Sequence, residues 1–248
     1  MIEADVVLGH VESDSGGILL PIMAHPPNKV SDLSLADFLS TIRNSSTLKG
    51  VKLDFKSREA FSASENVLVD ALLKQPDLYL WLNADIISGP VNATTKPVDA
   101  DYFLSACAAK FPEAVLSAGW TTNYGGLIME GSYTPDHISN MTEALNRNLV
   151  VQPVTFAVRA GLAAQSYDTL SNLIDSSVPG TTLTIWYSSD NDYVNIPDLR
   201  KLVNNIGKDK IYLDLPEDMT KDLLSESSSI SSTTVPLVLS LLSLIVLM

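Results

Sequence analysis

Basic residues are scarce in this chain: 16 Lys and Arg stand against 29 Asp and Glu in 248 residues, a formal net charge of −13. A nucleic-acid backbone is bound through clustered Lys and Arg, and no basic stripe is present, so nucleic acid is excluded as a partner. Cysteine is nearly absent. The single Cys107 lies in the apolar stretch YFLSACAAKF, which rules out an intrachain disulfide framework and Cys–Cys metal spacing. No His or other base neighbours it in sequence, so it reads as an inert, buried thiol. The Gly-rich phosphate turn of open dinucleotide-binding sheets is missing. So is any basic or apolar leader ahead of the first strand-like run, which begins at Ile2. Such a start implies either a natural N-terminus further upstream or a cytosolic form.

The C-terminal end has a different character. It reads SESSSISSTTVPLVLSLLSLIVLM. Pro236 to Met248 is apolar apart from Ser, and shorter than the ~20 residues a bilayer span needs. A Ser/Thr-rich spacer precedes it, with small residues at 225–229. That order matches a glycosylphosphatidylinositol-anchor signal; a short tail anchor or a docking helix is the plainer alternative. The expected division is a main domain at 1–220, a spacer at 221–235 and an apolar tail at 236–248. Three Asn-x-Ser/Thr sequons, at Asn44, Asn92 and Asn140, agree with display outside the cell as a glycoprotein.

Strand and helix patterns alternate along the chain. Strand-like runs fall at Ile2–Leu8, Ile18–Ala24, Val51–Phe55, Leu78–Ile87, Ala114–Ala118, Val150–Val158, Thr182–Tyr187 and Lys210–Leu215. Amphipathic helical patterns lie between most of them, several led by a capping residue such as Ser34 or by Pro in the first turn. Strict βα alternation predicts a parallel sheet covered by helices. Polar residues gather at strand ends, in KLDFK, WLNAD, SAGWTT, TFAVR and IWYSSD. Strand ends of that kind converge in a TIM (β/α)8-type barrel, whose sites lie at the carboxyl ends of its strands. With Ile18–Ala24 taken as an excursion, about seven barrel strands remain. The expectation is a barrel lacking its first strand.

Side chains alternate across a strand. Glu3 and Asp5 therefore leave β-structure on one face, and like charges on a buried face need a positive partner. In KLDFK, Lys52, Asp54 and Lys56 share one face while Leu53 and Phe55 share the other. Three carboxylates, Glu3, Asp5 and Asp54, suit one hard cation such as Mg2+ or Ca2+. The alternative is a structural salt-bridge ladder. In PIMAHPP, His25 is pinned by Pro26 and Pro27 at the end of an apolar run, which favours a general acid–base role. His10 and His137 are assigned none. Asn83 and Asp85 share a strand face and are candidates for metal or head-group contact, and Lys52 is a further candidate for substrate contact. Trp120, Thr121, Arg159, Trp186 and Ser188 are candidates for contacting phosphate or a lipid head, although each Trp reads more readily as core.

EADVVLG, PIMAHPP, GVKLDFK, LNADIISGP and SAGWTT, in that order, resemble the menorin family over residues 2–215. That family resembles the phospholipase-C-like phosphodiesterases, (β/α)8 barrels that include glycerophosphodiester phosphodiesterases and sphingomyelinase D. The resemblance implies metal ligation by Glu3, Asp5 and Asp54, catalysis by His25, and a phosphate contact from Lys56. It also implies a further catalytic His at the end of the first strand, and this sequence begins after that point. One of two imidazoles is then absent, and the chain as written is expected to be inactive or impaired. Two functions follow as expectations. One is a metal-dependent phosphodiesterase acting on glycerophosphodiester or lysophospholipid head groups at the cell surface. The other is an inactive extracellular ligand or adhesion protein that binds a cell-surface receptor, as menorin-type cues do in dendrite patterning.

Overall fold

The computed structural model describes residues 1–12, 17–45, 50–176, 180–188 and 192–225. The expected anchor signal at 236–248, and the spacer from 226 onward, lie outside the described residues. The chain forms β1 (Ile2–Val11), β2 (Leu20–Met23), β3 (Val30–Ser31), α1 (Leu35–Asn44), β4 (Gly50–Phe55), α2 (Arg58–Lys74), β5 (Tyr79–Ser88), α3 (Ala100–Lys110) and β6 (Val115–Thr121). It continues through α4 (Pro135–Arg147), β7 (Val154–Arg159), α5 (Ala160–Ala164), α6 (Tyr167–Ser176), β8 (Thr182–Trp186), α7 (Ile196–Ile206), β9 (Ile211–Asp214) and α8 (Glu217–Leu224). Helix α8 crosses the 220/221 boundary expected from sequence.

The strands β1, β4, β5, β6, β7, β8 and β9 pair in parallel in that order. The short β2 folds back antiparallel on β1, and β3 pairs with the end of β1. The segment expected as an excursion is therefore one. The sheet curls. The rings of Trp81 on β5 and Tyr212 on β9 meet at 4.9 Å although three strands lie between them in the sheet. Among the described residues β9 does not pair with β1, so the architecture is an α/β fold with a curled, parallel-rich, part-barrel sheet.

Five of the helices start behind a short polar capping residue. Ser34, Ser57, Asp99, Thr134 and Asn195 accept from the backbone N–H of Asp37, Ala60, Tyr102, His137 and Asp198, respectively, which satisfies donors the helix itself leaves open. The outward faces of the strands carry the apolar alternation. Leu53, Phe55, Leu82, Leu116, Phe156, Val158, Leu183 and Ile185 are buried beneath the helices. Phe61 on α2 seals one part of this layer, with Phe55 at 5.0 Å and Phe103 at 4.7 Å between ring centroids.

One strand starts later than its sequence pattern predicts. The run Val150–Val158 becomes β7 only at Val154. Leu149 has a φ of 52°, a left-handed conformation that ends the approach from α4. Pro153 has no N–H to give a ladder, and Val151 points to solvent.

Phe61→Ala removes a buried ring from the helix–sheet interface and is expected to cost about 3–5 kcal/mol, read as a lower urea midpoint with an unchanged slope. Equal midpoints for variant and parent would show that this layer does not hold the domain together.

Candidate functional site

The inward face of the curled sheet is polar where that of a filled barrel is apolar. Register builds it row by row. Glu3 faces Lys52, which faces Trp81; Asp5 faces Asp54, which faces Asn83, which faces Ser117. The residues expected to converge from β1 and β4 thus share one wall.

What fills the space between the carboxylates is ammonium. Lys52 Nζ lies 2.9 Å from Glu3 Oε1, and the lysine side chain is only 6% exposed. Lys56 Nζ bridges two acids, 3.1 Å from Asp5 Oδ1 and 2.5 Å from Asp54 Oδ2. Its backbone N–H donates to Val6 O at 3.1 Å, which ties the rim of β4 to β1. Burial works against both lysine charges, but Glu3 outweighs it at Lys52, and Asp54 with Asp5 outweighs it at Lys56, so both stay charged well above the usual lysine range. The acids remain in excess. Burial pushes Glu3 up to about 7 against the pull of Lys52, with Asp214 and Asp54 adding to the rise. Burial raises Asp5 as well, Lys56 opposing it.

Asp85 joins this wall from β5. Burial pushes its carboxyl up to about 7, helped by the charge of Asp54. The position exists because β6 carries Gly119 opposite: a Cβ there would stand 2.3 Å from Asp85 Oδ1. Sequence reasoning passed over Gly119, though a glycine inside a strand signals close approach of another group.

A second cluster stands across the mouth. Arg159, at the end of β7, forms a two-pronged ion pair with Asp192, through Nε at 2.7 Å and Nη2 at 2.5 Å. Its Nη1 donates to Thr122 Oγ1 at 3.1 Å. The guanidinium lies over the rings of Trp186 at 5.3 Å and Tyr124 at 5.7 Å. Ser188 contributes its backbone N–H to Asp192 Oδ2 at 3.4 Å. Asp192, Tyr124 and Thr122 come from loops, and their approach to Arg159 has no periodic signal in the sequence.

His25 lies at the end of β2 beside Asp5, with Nε2 3.9 Å from Oδ2. Its side chain is 75% exposed, and Nδ1 is 2.6 Å from Pro26 O. His137 caps α4: its Nδ1 accepts from Thr134 N at 3.0 Å. Trp120 stands apart from the mouth. It is on the outer face of β6, fully buried against Tyr133 and Phe156, with Nε1 donating to His137 O. Thr121 faces inward. Its Oγ1, Asn83 Oδ1, Ser117 Oγ and Trp81 Nε1 are buried and have no hydrogen-bond partner among the described residues, so water or a ligand must supply one. Asn44, Asn92 and Asn140 are all exposed. Cys107 is buried, and burial holds its thiol far above the reactive range.

The donor set suits a hard cation in its chemistry: carboxylates alone, on adjacent strands, in excess of the local positive charge. As the side chains stand, no three His, Cys, Asp or Glu among the described residues are grouped to hold a metal ion, because Lys56 sits between Asp5 and Asp54.

The family profile described as Menorin N-terminal domain matches residues 1–220. The chain belongs to the menorin family. It is 38% identical over 219 residues to protein FAM151B of Homo sapiens, covering 88% of this chain and 75% of that protein. The menorin match spans every element from β1 through the start of α8, so both clusters of the mouth lie inside the menorin domain.

Two measurements test this geometry. Asp192→Asn leaves a buried guanidinium without its counter-charge and is expected to cost about 3–5 kcal/mol. Asp85 has a folded-state pKa above its ordinary value, so its contribution to stability is full below that ordinary value and is lost as pH rises through about 7. Asp85→Asn should therefore raise the melting temperature by several degrees at pH 8.5 and by little at pH 5. A gain that is equal at both pH values would contradict the burial of this charge.

Proposed function

We propose that the mouth of this menorin domain binds a phosphodiester head group, with phosphodiester hydrolysis as its reaction. The supporting observation is the Lys56 ammonium held at the rim between Asp5 and Asp54, in a barrel interior where charge is otherwise costly. Lys56 meets the phosphoryl oxygens and stabilises the charge that develops on them. His25, beside Asp5, gives a proton to the leaving oxygen. Arg159 is fixed by Asp192 and stacked on Trp186, so it presents a pre-oriented cation to the opposite side of an anionic group. Asn83 and Thr121 offer unpaired polar atoms to the head group, and Lys52 holds Glu3 beneath them. A divalent cation, Mg2+ or Ca2+, would draw negative charge from the phosphoryl oxygens; Glu3, Asp5 and Asp54 would hold it once the Lys56 ammonium turns out from between Asp5 and Asp54 toward the substrate. A glycerophosphodiester or a lysophospholipid is the substrate class. The working location is the outer cell surface, on the C-terminal lipid anchor.

A second reading has its own support. Both lysines already neutralise carboxylates across the wall, so the rim is a stable surface without any cation. In this reading the barrel is a scaffold and the protein an extracellular ligand for a cell-surface receptor.

Glycerophosphocholine, lysophosphatidylcholine and bis(p-nitrophenyl) phosphate, each assayed with Mg2+ or Ca2+ and with chelator, separate the two. The enzyme reading expects cation-dependent turnover that falls on the order of 100-fold in His25→Ala and in Lys56→Ala. No turnover on any of the three, together with receptor binding that survives Asp54→Asn, would defeat it in favour of the scaffold.

A further inference from the structure

The turn that follows β6 exposes large apolar side chains on a rigid support. Gly125 N donates to Ile128 O at 2.8 Å and Ile128 N to Gly125 O at 3.1 Å. Gly126 takes the left-handed conformation this turn requires, with φ at 61°. Leu127 at its tip is 100% exposed, Met129 53% and Tyr193, from the loop after β8, 52%. Beneath them Tyr124 is buried. Its hydroxyl lies 3.0 Å from Met129 O and 2.8 Å from Tyr193 O, so one phenol joins the two loops. Gln165 Nε2 donates to the same hydroxyl and to Met129 O, each at 3.2 Å. Gly161 permits the fit, since a Cβ there would stand 2.3 Å from the Tyr124 ring.

A leucine displayed in full on a clamped turn forgoes burial that a slack loop could recover by collapsing. Its surroundings narrow what it meets. No Lys or Arg occurs between Lys110 and Arg147, or between Arg159 and Arg200. Both loops are therefore without positive charge, and Glu130 and Asp192 lie within them. An anionic surface is a poor match; an uncharged or zwitterionic one fits. The apolar run at 235–248, outside the described residues, reads as a lipid-anchor signal, and the lipid attached in its place would be a second membrane contact. A single weak apolar contact holds a protein to a bilayer marginally, and two on one chain reinforce each other.

We propose that the Leu127 turn, with Met129 and Tyr193, inserts into the surface of a zwitterionic lipid bilayer. Tyr124 links this tip to the mouth, because the Arg159 guanidinium stands over the same ring. The docked domain thus opens its charged interior toward the lipid head groups. The proposal does not depend on hydrolysis: a scaffold docked on a membrane would use the same turn.

The full chain tests it with one introduced thiol, Leu127→Cys, since Cys107 is buried. The thiol carries an environment-sensitive fluorophore, and Lys74→Cys on α2 is the control. Phosphatidylcholine vesicles are expected to shift the Leu127 probe to the blue and expose it to a bilayer-embedded quencher, leaving the Lys74 probe unchanged. The unlabelled double variant Leu127→Ser, Met129→Ser should partition about tenfold less onto these vesicles, and phosphatidylserine in the vesicles should weaken binding of the parent. Three results would overturn the proposal. The protein floats with vesicles while the Leu127 probe stays in water; it does not bind vesicles at all; or the probe shifts without lipid as protein concentration rises, which assigns the turn to a second copy of the chain.

Discussion

Lysine placed between carboxylates on the inner face of a curled sheet is the constraint around which this fold is arranged. Two cations, Lys52 and Lys56, serve a wall that carries Glu3, Asp5, Asp54 and Asp85. Each charge alone would be costly to bury. Together they require that β1 and β4 pair in one register, because a slip of one residue would send Lys52, Asp54 and Lys56 into the apolar layer under α2. The apolar outer face and the charged inner face thus specify the same pairing from opposite sides. Burial, with the remaining acid excess adding to it, pushes Glu3 and Asp85 up to about 7.

The far side of the mouth solves the same problem with a different cation. Arg159 is neutralised by Asp192 and covered by Trp186 and Tyr124, so its fork is fixed before any ligand arrives. Two glycines set the spacing of these features. Gly119 leaves room for the Asp85 carboxyl, and Gly161 leaves room for Tyr124. Tyr124 in turn carries the backbone of both exposed loops. Interior charge and surface shape are therefore coupled through a few side chains at the strand ends.

Much of this was legible in the sequence, for physical reasons. Period-two alternation in KLDFK separates Lys52, Asp54 and Lys56 from Leu53 and Phe55, and the strand face follows directly. Ser34 before an amphipathic run marks the start of α1 because its hydroxyl takes an open N–H. The two readings of the charged face, cation site and salt-bridge ladder, draw on the same residues. The ladder is present, and it stands where the cation site was expected. What was not legible depends on contacts between distant segments. Asp192 and Tyr124 reach Arg159 through loops without periodicity. His137 was given no role, and it is a cap; a Thr-x-x-His box lacks the Glu or Gln that usually marks one. Trp120 sits beside Thr121 in SAGWTT but on the other face of β6, so adjacency in sequence became separation by the sheet. The short α5 and α8 offered too few residues for a helical period to emerge.

A double-mutant cycle on the pair Glu3 and Lys52, read by urea unfolding at pH 8.5, tests the central claim most directly. Lys52→Met alone leaves Glu3 buried against Asp214 and Asp54 and is expected to cost about 3 kcal/mol or more. Adding Glu3→Gln should restore most of that loss, giving a coupling energy of about 2 kcal/mol. Additive effects, with the double variant as unstable as the two losses summed, would contradict an inner wall organised by mutual neutralisation.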